Sequence, residues 1–432
     1  MLKRIAVTEL CLGMHIHELC GSWMEHPFWK TSFLLNSRKD LRRIGDCGIL
    51  EVWIDTSKGL DVLNGQTVEE AEEQTAAVLL EAQLSPALPV TQEPVNLPAP
   101  APALAPAVAS PISLEQEVAQ AIKLCSQSKK AVVRMFQQVR LGQAVDTDQV
   151  GELVEAISGS LLRHPIALIS LARLKKSDEY TYMHSVAVCA LMIALARRLD
   201  LPQEQVEEAG MAGLLHDVGK MMVSDNILNK PGKLTDAEFA TMRGHPQAGG
   251  AVLLASRNVA PRVLDVCLHH HEKIDGSGYP HALSGEQISL FARMGAVCDV
   301  YDAVTSERSY KRGWDPADAV HRMAEWKGHF DKRVFQAFVQ TVGIYPTGSL
   351  VRLQSERLGV IIEQAAHSLL TPKVKVFYSV TSKTQIAHEV LDLATLIGSE
   401  RIVGRESARV WGFRNLEQLW SGLPARPGSY FD

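Results

Sequence analysis

Three features of the chain predict a mainly α fold with a small α+β N-terminal domain and a short β-rich C-terminal extension. Apolar residues recur at helical spacing throughout about 113–345. Short β-branched runs stand on either side of that region. A proline- and alanine-rich stretch near residue 100 separates the first of these runs from the helical part. The chain has 432 residues, enough for two or three domains with buried cores.

Residues 1–84 make the first domain in this reading. Arg4-Ile5-Ala6-Val7 and Ile49-Leu50-Glu51-Val52-Trp53-Ile54-Asp55 read as strands, the second ended by Ser57-Lys58-Gly59. Thr67-Val68-Glu69-Glu70 has the spacing of a capping box and opens a helix to about Gln83. Residues 85–112, centred on Pro98-Ala99-Pro100-Ala101-Pro102, cannot hold a helix or a ladder and read as a semi-stiff extended linker. The helical domain is expected over 113–345. Its segments include Val150–Ala172, Met183–Leu199, a helix opened by Pro202 and running towards His216, and one opened by Thr235-Asp236-Ala237-Glu238 that ends before Pro246. Val263–His271 and Ile288–Thr305 complete the set. Residues 346–432 form the extension, with strand-like runs at 350–353, 359–362 and 374–377. No internal repeat is visible.

Charge and composition narrow the function classes. A net charge of −5 argues against sequence-independent binding to long nucleic acid, which needs a basic face. It leaves room for a small anionic substrate at a metal site. The seven cysteines form no C-x-x-C pair and no regular spacing, so buried free thiols in a reducing compartment are expected. The start reaches Glu9 before an apolar run develops, unlike a signal peptide, and no stretch approaches a membrane span. A cytoplasmic protein is the expectation.

Between residues 184 and 299 stand His184, His216-Asp217, His245, His270-His271 and Asp299, all residue types that bind first-row divalent metals. Seven candidate ligands exceed what one ion uses, which points to two metals sharing a carboxylate, a device for splitting phosphate esters. An isolated His-Asp pair is a weak signal. Three histidines ahead of a glycine loop have little packing value, however, and Asp299 lies in an apolar helical run where an unpartnered carboxylate is costly. On a helix Lys220 falls one turn from His216.

The order His184, His216-Asp217-Val218-Gly219-Lys220, His245, His270-His271-Glu272, Asp275-Gly276-Ser277-Gly278-Tyr279-Pro280, Asp299-Val300-Tyr301-Asp302-Ala303 resembles the HD-GYP subgroup of the HD phosphohydrolase superfamily. The match covers about 175–345. It implies an all-helical HD-type phosphohydrolase domain that hydrolyses cyclic di-GMP to linear pGpG, and further to GMP, by in-line attack of a metal-bridging hydroxide, lowering a bacterial second messenger of biofilm and motility. Gly13-Met14 and Ser22-Trp23-Met24-Glu25-His26-Pro27-Phe28 resemble the uncharacterised, regulatory domain that often precedes HD-GYP.

Carried over by position, the resemblance implies one metal on His184, His216 and Asp299, another on His245, His270 and His271, and Asp217 bridging them. His269 is then the spare histidine. Iron or manganese is the family's preference; zinc, nickel or cobalt also suits mixed imidazole and carboxylate ligands. Lys220, with Asp217, belongs to the catalytic machinery, and Lys220, Arg308 and Lys311 would hold substrate phosphate. Gly278, Tyr279 and Pro280 would shape the substrate mouth or a docking surface for a regulatory partner, a role the N-terminal domain could share. A homodimer is left open. Some members place a glutamate four residues before the first histidine and hold a third metal; Tyr180 stands there instead and Glu179 is five back, so two metals are expected. Lys273-Ile274 replaces the family's frequent Arg-Trp. Two other readings stay open: an HD phosphohydrolase of another nucleotide, and a non-catalytic cyclic di-GMP receptor.

Overall fold

The computed structural model describes residues 1–21, 32–84, 114–175, 180–230, 232, 234–307, 313–365 and 367–423. The expected linker, the Ser22–Phe28 segment, Glu179, Arg308 and Lys311 lie outside them, as does the side chain of Tyr180.

The N-terminal strands are β1 (Leu2–Ala6), β2 (His15–Cys20), β3 (Phe33–Leu34) and, after helix α1 (Arg38–Gly45), β4 (Glu51–Asp55). They form an antiparallel sheet in the order β1-β4-β2-β3, with Ile5 opposite Val52. Alternation along β4 sends Val52 and Ile54 into a small core with Ile5, Ile16, Leu35 and Ile44. Helix α2 (Val68–Leu84) begins at the expected capping box: Glu70 N donates to Thr67 Oγ1 and Thr67 N to Glu70 Oε2. Its Leu79 and Ala82 are buried in the large helical core, not in the core of the sheet.

The helical region comprises α3 (Leu114–Arg140), α4 (Thr147–Arg163), α5 (Ala167–Ala172), α6 (Tyr180–Arg198), α7 (Gln203–Leu215), α8 (Asp225–Leu228), α9 (Asp236–Arg243), α10 (His245–Leu254), α11 (Pro261–His269), α12 (Leu290–Thr305), α13 (Pro316–Glu325) and α14 (Lys332–Val342). Helices α6 and α12 are apolar on nearly every side and run through the centre, as all-round hydrophobicity requires. The run 150–172, read as one segment, is two helices. Pro165 forbids helical geometry at His164, which caps α4 in an extended conformation (φ −152°, ψ 102°). Pro246 does not simply follow a helix; it sits in the first turn of α10, where its missing N–H costs nothing.

One expectation is corrected. His216 and Lys220 are not partners on an α-helix, because α7 stops at Leu215 and Val218–Met222 forms a tighter 3-10 turn. Lys220 N bonds Asp217 O, and its ammonium contacts Asp217 Oδ2.

The C-terminal strands β5 (Leu350–Leu353), β6 (Arg357–Glu363), β7 (Lys373–Ser379), β8 (Thr384–Asp392) and β9 (Ile402–Arg405) form an antiparallel sheet ordered β8-β7-β6-β5-β9. Short helices α15 (Ala408–Trp411) and α16 (Glu417–Ser421) follow. Both sheets and α2 are tied to the helical region near α13 and α14. Arg322 pairs with Glu18, Lys327 with Glu51 (2.7 Å), Lys332 with Glu81 (2.8 Å) and Arg405 with Asp318 (3.1 Å). Among the described residues no helix is long and apolar enough to cross a membrane.

Candidate metal centre

The seven candidate ligands arrive from five stretches of chain. His184 lies in the first turns of α6 and Asp299 in the middle of α12, the two central helices. His216 and Asp217 follow the end of α7, His245 opens α10, and His270 and His271 follow α11. The described residues hold two groups able to grip a metal ion: Asp217, His245, His270 and His271; and His184, His216 and Asp299.

Backbone carbonyls set the orientation of three imidazoles. His216 Nδ1 donates to Gly213 O (2.8 Å), His245 Nδ1 to Met242 O (2.8 Å) and His270 Nδ1 to Val266 O (3.0 Å). Each therefore aims its Nε2 at the centre, the nitrogen that binds metal once it carries no proton. Asp217 lies among these nitrogens. Its Oδ1 is 3.2 Å from His245 Nε2 and 3.8 Å from His270 Nε2, while its Oδ2 is 3.5 Å from His184 Nε2 and 3.4 Å from His216 Nε2. Asp299 Oδ1 is 3.0 Å from His184 Nε2, and its Oδ2 is 3.7 Å from His271 Nδ1.

The protonation pattern suits a cation. Burial would raise Asp217, but Lys220 and His216 hold it well below the usual carboxylate range. Burial would likewise raise Asp299, which a hydrogen bond from His184 and the nearby His216 imidazole keep low. Burial pushes His270 down to about 3 and His271 well below the ordinary histidine value, reinforced by neighbouring imidazoles. Burial also opposes charge on His216, yet Asp217 and Asp299 overcome it and push this imidazole up to about 10, so a metal ion binding there would displace its proton. Three buried atoms, His216 Nε2, Asp217 Oδ1 and Asp299 Oδ2, have no hydrogen-bond partner. Orphaned buried polar atoms are expensive, and divalent ions among them would satisfy all three. The donor set fits a pair of metals.

Gly219 explains how the His-Asp turn comes so close to α10. A Cβ there would stand 2.0 Å from His245 O and 2.3 Å from Gly249 N, so only glycine permits this approach.

Residues 2–150 match a domain of unknown function, DUF3391, and residues 164–334 match the HD domain. A cyclic di-GMP phosphodiesterase of Pseudomonas aeruginosa is 59% identical over 433 residues, covering 100% of this chain and 99% of its own. The chain belongs to the HD-GYP family. The cyclic di-GMP phosphodiesterase response regulator RpfG of Xanthomonas campestris is 38% identical over 179 residues, 40% of this chain and 47% of its own. A cyclic di-GMP phosphodiesterase of Vibrio cholerae is 37% identical over 213 residues, 45% of this chain and 43% of its own. The HD domain family is metal-dependent, and the clustered histidines and aspartates are where this HD-GYP chain can bind metal.

The loop that gives HD-GYP its name is clamped beside the centre. Glu272 accepts hydrogen bonds from His281 N (2.7 Å) and Leu283 N (3.0 Å), and Tyr279 N donates to His271 O (3.2 Å). Gly278 lies against the Glu272-Lys273 backbone, where a Cβ would come within 2.5 Å. The Tyr279 ring stacks on His271, with centroids 4.6 Å apart and 23° between planes. The Arg243 guanidinium lies over Tyr279, 4.3 Å from the ring centroid. Pro280 follows, half-buried. His269 turns away to Asp265 (2.7 Å) and His281 (3.0 Å).

Two residues with no assigned role in the sequence reading brace the centre from behind. His184 Nδ1 is 2.7 Å from Asp302 Oδ2, and the fully buried Lys175 ammonium grips both oxygens of Asp302 at 2.7 and 2.8 Å. Carboxylates in this position orient a metal-binding imidazole. Asp302 was legible as the i+3 neighbour of Asp299 on α12. Lys175, 127 positions away in the chain, carried no local signal.

Proposed function

We propose that the chain hydrolyses cyclic di-GMP to linear pGpG, and further to GMP, at a centre of two divalent metal ions. The observation that carries this reading is Asp217, which turns one carboxylate oxygen towards each set of imidazoles. His184, His216 and Asp299 would hold one ion, His245, His270 and His271 the other, and Asp217 both. The mixed nitrogen and oxygen donors suit iron or manganese, with zinc, nickel or cobalt as substitutes. When bound, the ions supply Lewis acidity to the phosphodiester and to water.

The chain's own residues do the rest. An ammonium has three donors, and Lys220 spends one on Asp217, leaving others for a non-bridging phosphate oxygen. Arg308 and Lys311, spaced i,i+3, would grip the phosphate beyond. Tyr279 and Pro280, set by the close approach at Gly278, would wall the substrate mouth. Water attacks phosphorus in line, the bond to the 3′ oxygen breaks, and that oxygen takes a proton to leave the linear dinucleotide. All seven cysteines are free thiols, in keeping with a cytoplasmic enzyme, and the N-terminal sheet packed near α13 suits a regulatory role.

The test is anaerobic loading with iron or manganese, metal analysis, and turnover of cyclic di-GMP beside deoxynucleoside triphosphates. An Asp217→Ala variant should lose both metal and turnover. If the loaded protein binds cyclic di-GMP without hydrolysing it, the protein is a receptor and the enzymatic reading fails.

A further inference from the structure

We propose that Arg243 reads a guanine base of the substrate and sets the enzyme's preference for guanine-containing cyclic dinucleotides. This rests on the functional reading above and names a contact that the metal centre does not supply. Arg243 is the last residue of α9, and Gly244 alone separates it from His245. That connection is held by the bond from His245 Nδ1 to Met242 O, so the guanidinium is mounted on the frame of the metal site.

Three groups meet in a row here: His271 stacks on Tyr279, and the Arg243 guanidinium lies over the Tyr279 ring. Each face of the tyrosine has room for one partner. The imidazole takes one face at 4.6 Å, so the guanidinium, at 4.3 Å, covers the other. Arg243 therefore stands one ring further out from the metals than Tyr279. In the proposed reading the scissile phosphate would sit beside Lys220, on the metal-ligand side of His271, and a base attached to it would reach outward past Tyr279 towards the guanidinium.

The chemistry of the group then selects the ligand. Arg243 is exposed, and among the described residues no carboxylate pairs with it. The tyrosine ring seats the guanidinium, 4.3 Å from its centroid, at the rim of the site. The guanidinium is a rigid fork of donors, and guanine presents the matching O6 and N7 acceptors, whereas adenine replaces O6 with a donor. Its outer face can also carry a stacked base. A bare cation for phosphate needs no such aromatic seat.

The experiment compares wild type, Arg243→Ala and Arg243→Lys as metal-loaded full-length proteins on cyclic di-GMP, cyclic di-AMP and bis-p-nitrophenyl phosphate, which has no base. The expected result is that Arg243→Ala lowers kcat/KM for cyclic di-GMP roughly 5- to 150-fold further than for either other substrate, the discrimination a two-pronged contact to guanine carries. The loss should fall on KM, metal content should match wild type, and Arg243→Lys should not recover the preference. Equal losses on all three substrates, or full recovery by lysine, would overturn the proposal in favour of general charge or loop support. If wild type shows no turnover, the functional reading has failed; equilibrium binding of cyclic di-GMP and cyclic di-AMP to the same proteins then decides the Arg243 contact alone.

Discussion

Replacing Gly219 with alanine adds one methyl group at the point where the His-Asp turn meets α10. The new carbon would lie 2.0 Å from His245 O, 2.3 Å from Gly249 N and 2.8 Å from Gly249 Cα. All three are backbone atoms, so no side chain can swing aside. Reaching ordinary contact requires the turn and the helix to separate by on the order of 1 Å. The same movement draws Asp217 away from His245, whose facing atoms are now 3.2 Å apart. Metal ligation tolerates about 0.2 Å, so the group formed by Asp217, His245, His270 and His271 should lose its ion. Overpacking of this kind costs about 1–3 kcal/mol of stability, or roughly 2–10 °C in melting temperature for a domain of this size. The assay measures melting temperature, metal per chain after loading, and kcat/KM on cyclic di-GMP. A stable, half-loaded protein with at least about 100-fold lower kcat/KM is expected, since geometric losses near 1 Å cost that much. Normal metal content and turnover, with or without lost stability, would refute the reasoning.

Other perturbations test the support around the centre. Lys175→Met leaves Asp302 a buried carboxylate without its cation, and should cost about 3–5 kcal/mol in denaturant unfolding. Adding Asp302→Leu to it should recover part of that loss while weakening metal retention through His184. Glu272→Gln weakens the charge-assisted bonds to His281 N and Leu283 N, so amide exchange across 273–284 should quicken in mass-spectrometric measurements. Asp315, which caps α13, is pushed up to about 7 by burial and by Asp318. A carboxyl raised in the folded state binds a proton there that the unfolded chain has already released, so stability falls as pH rises from about 4 to 7. Asp315→Asn keeps a capping oxygen and should flatten that fall in unfolding curves taken between pH 5 and 8.

Much of the candidate site was legible because its chemistry is written in residue type and order. Five histidines and two aspartates among apolar helices have few uses other than ligation, and the structure brings all seven together. Helices α6 and α12 were readable from periodicity, and α2 and α9 from capping boxes whose hydrogen bonds are formed. The break at Pro165 was also present in the sequence, since proline restricts the residue before it, but helical spacing on both sides masked it. The turn after His216 was not readable. There the choice of a 3-10 turn accompanies the packing of Gly219 against α10, a contact between segments distant in sequence. Lys175 and Arg243 were hidden for a related reason. Each looks like a surface cation locally, and only the fold sets one beneath Asp302 and the other over Tyr279. Strand β8 was missed because most of it is exposed, which removes the alternation that marks a half-buried strand.

The scattering of the ligands along the chain has a consequence for folding. Under the proposed ligation, no single helix or hairpin carries a usable fragment of either ion site: α6, the ends of α7 and α11, the start of α10 and the middle of α12 must all be in place. Contacts between such distant segments form late, after loop-closure entropy has been overcome. The ions would then bind only the completed bundle, and mass action would draw the population towards it. Metal content thus becomes a gauge of topological completeness: a lesion that loosens any one of these helices should register as lost metal while most of the helical signal remains.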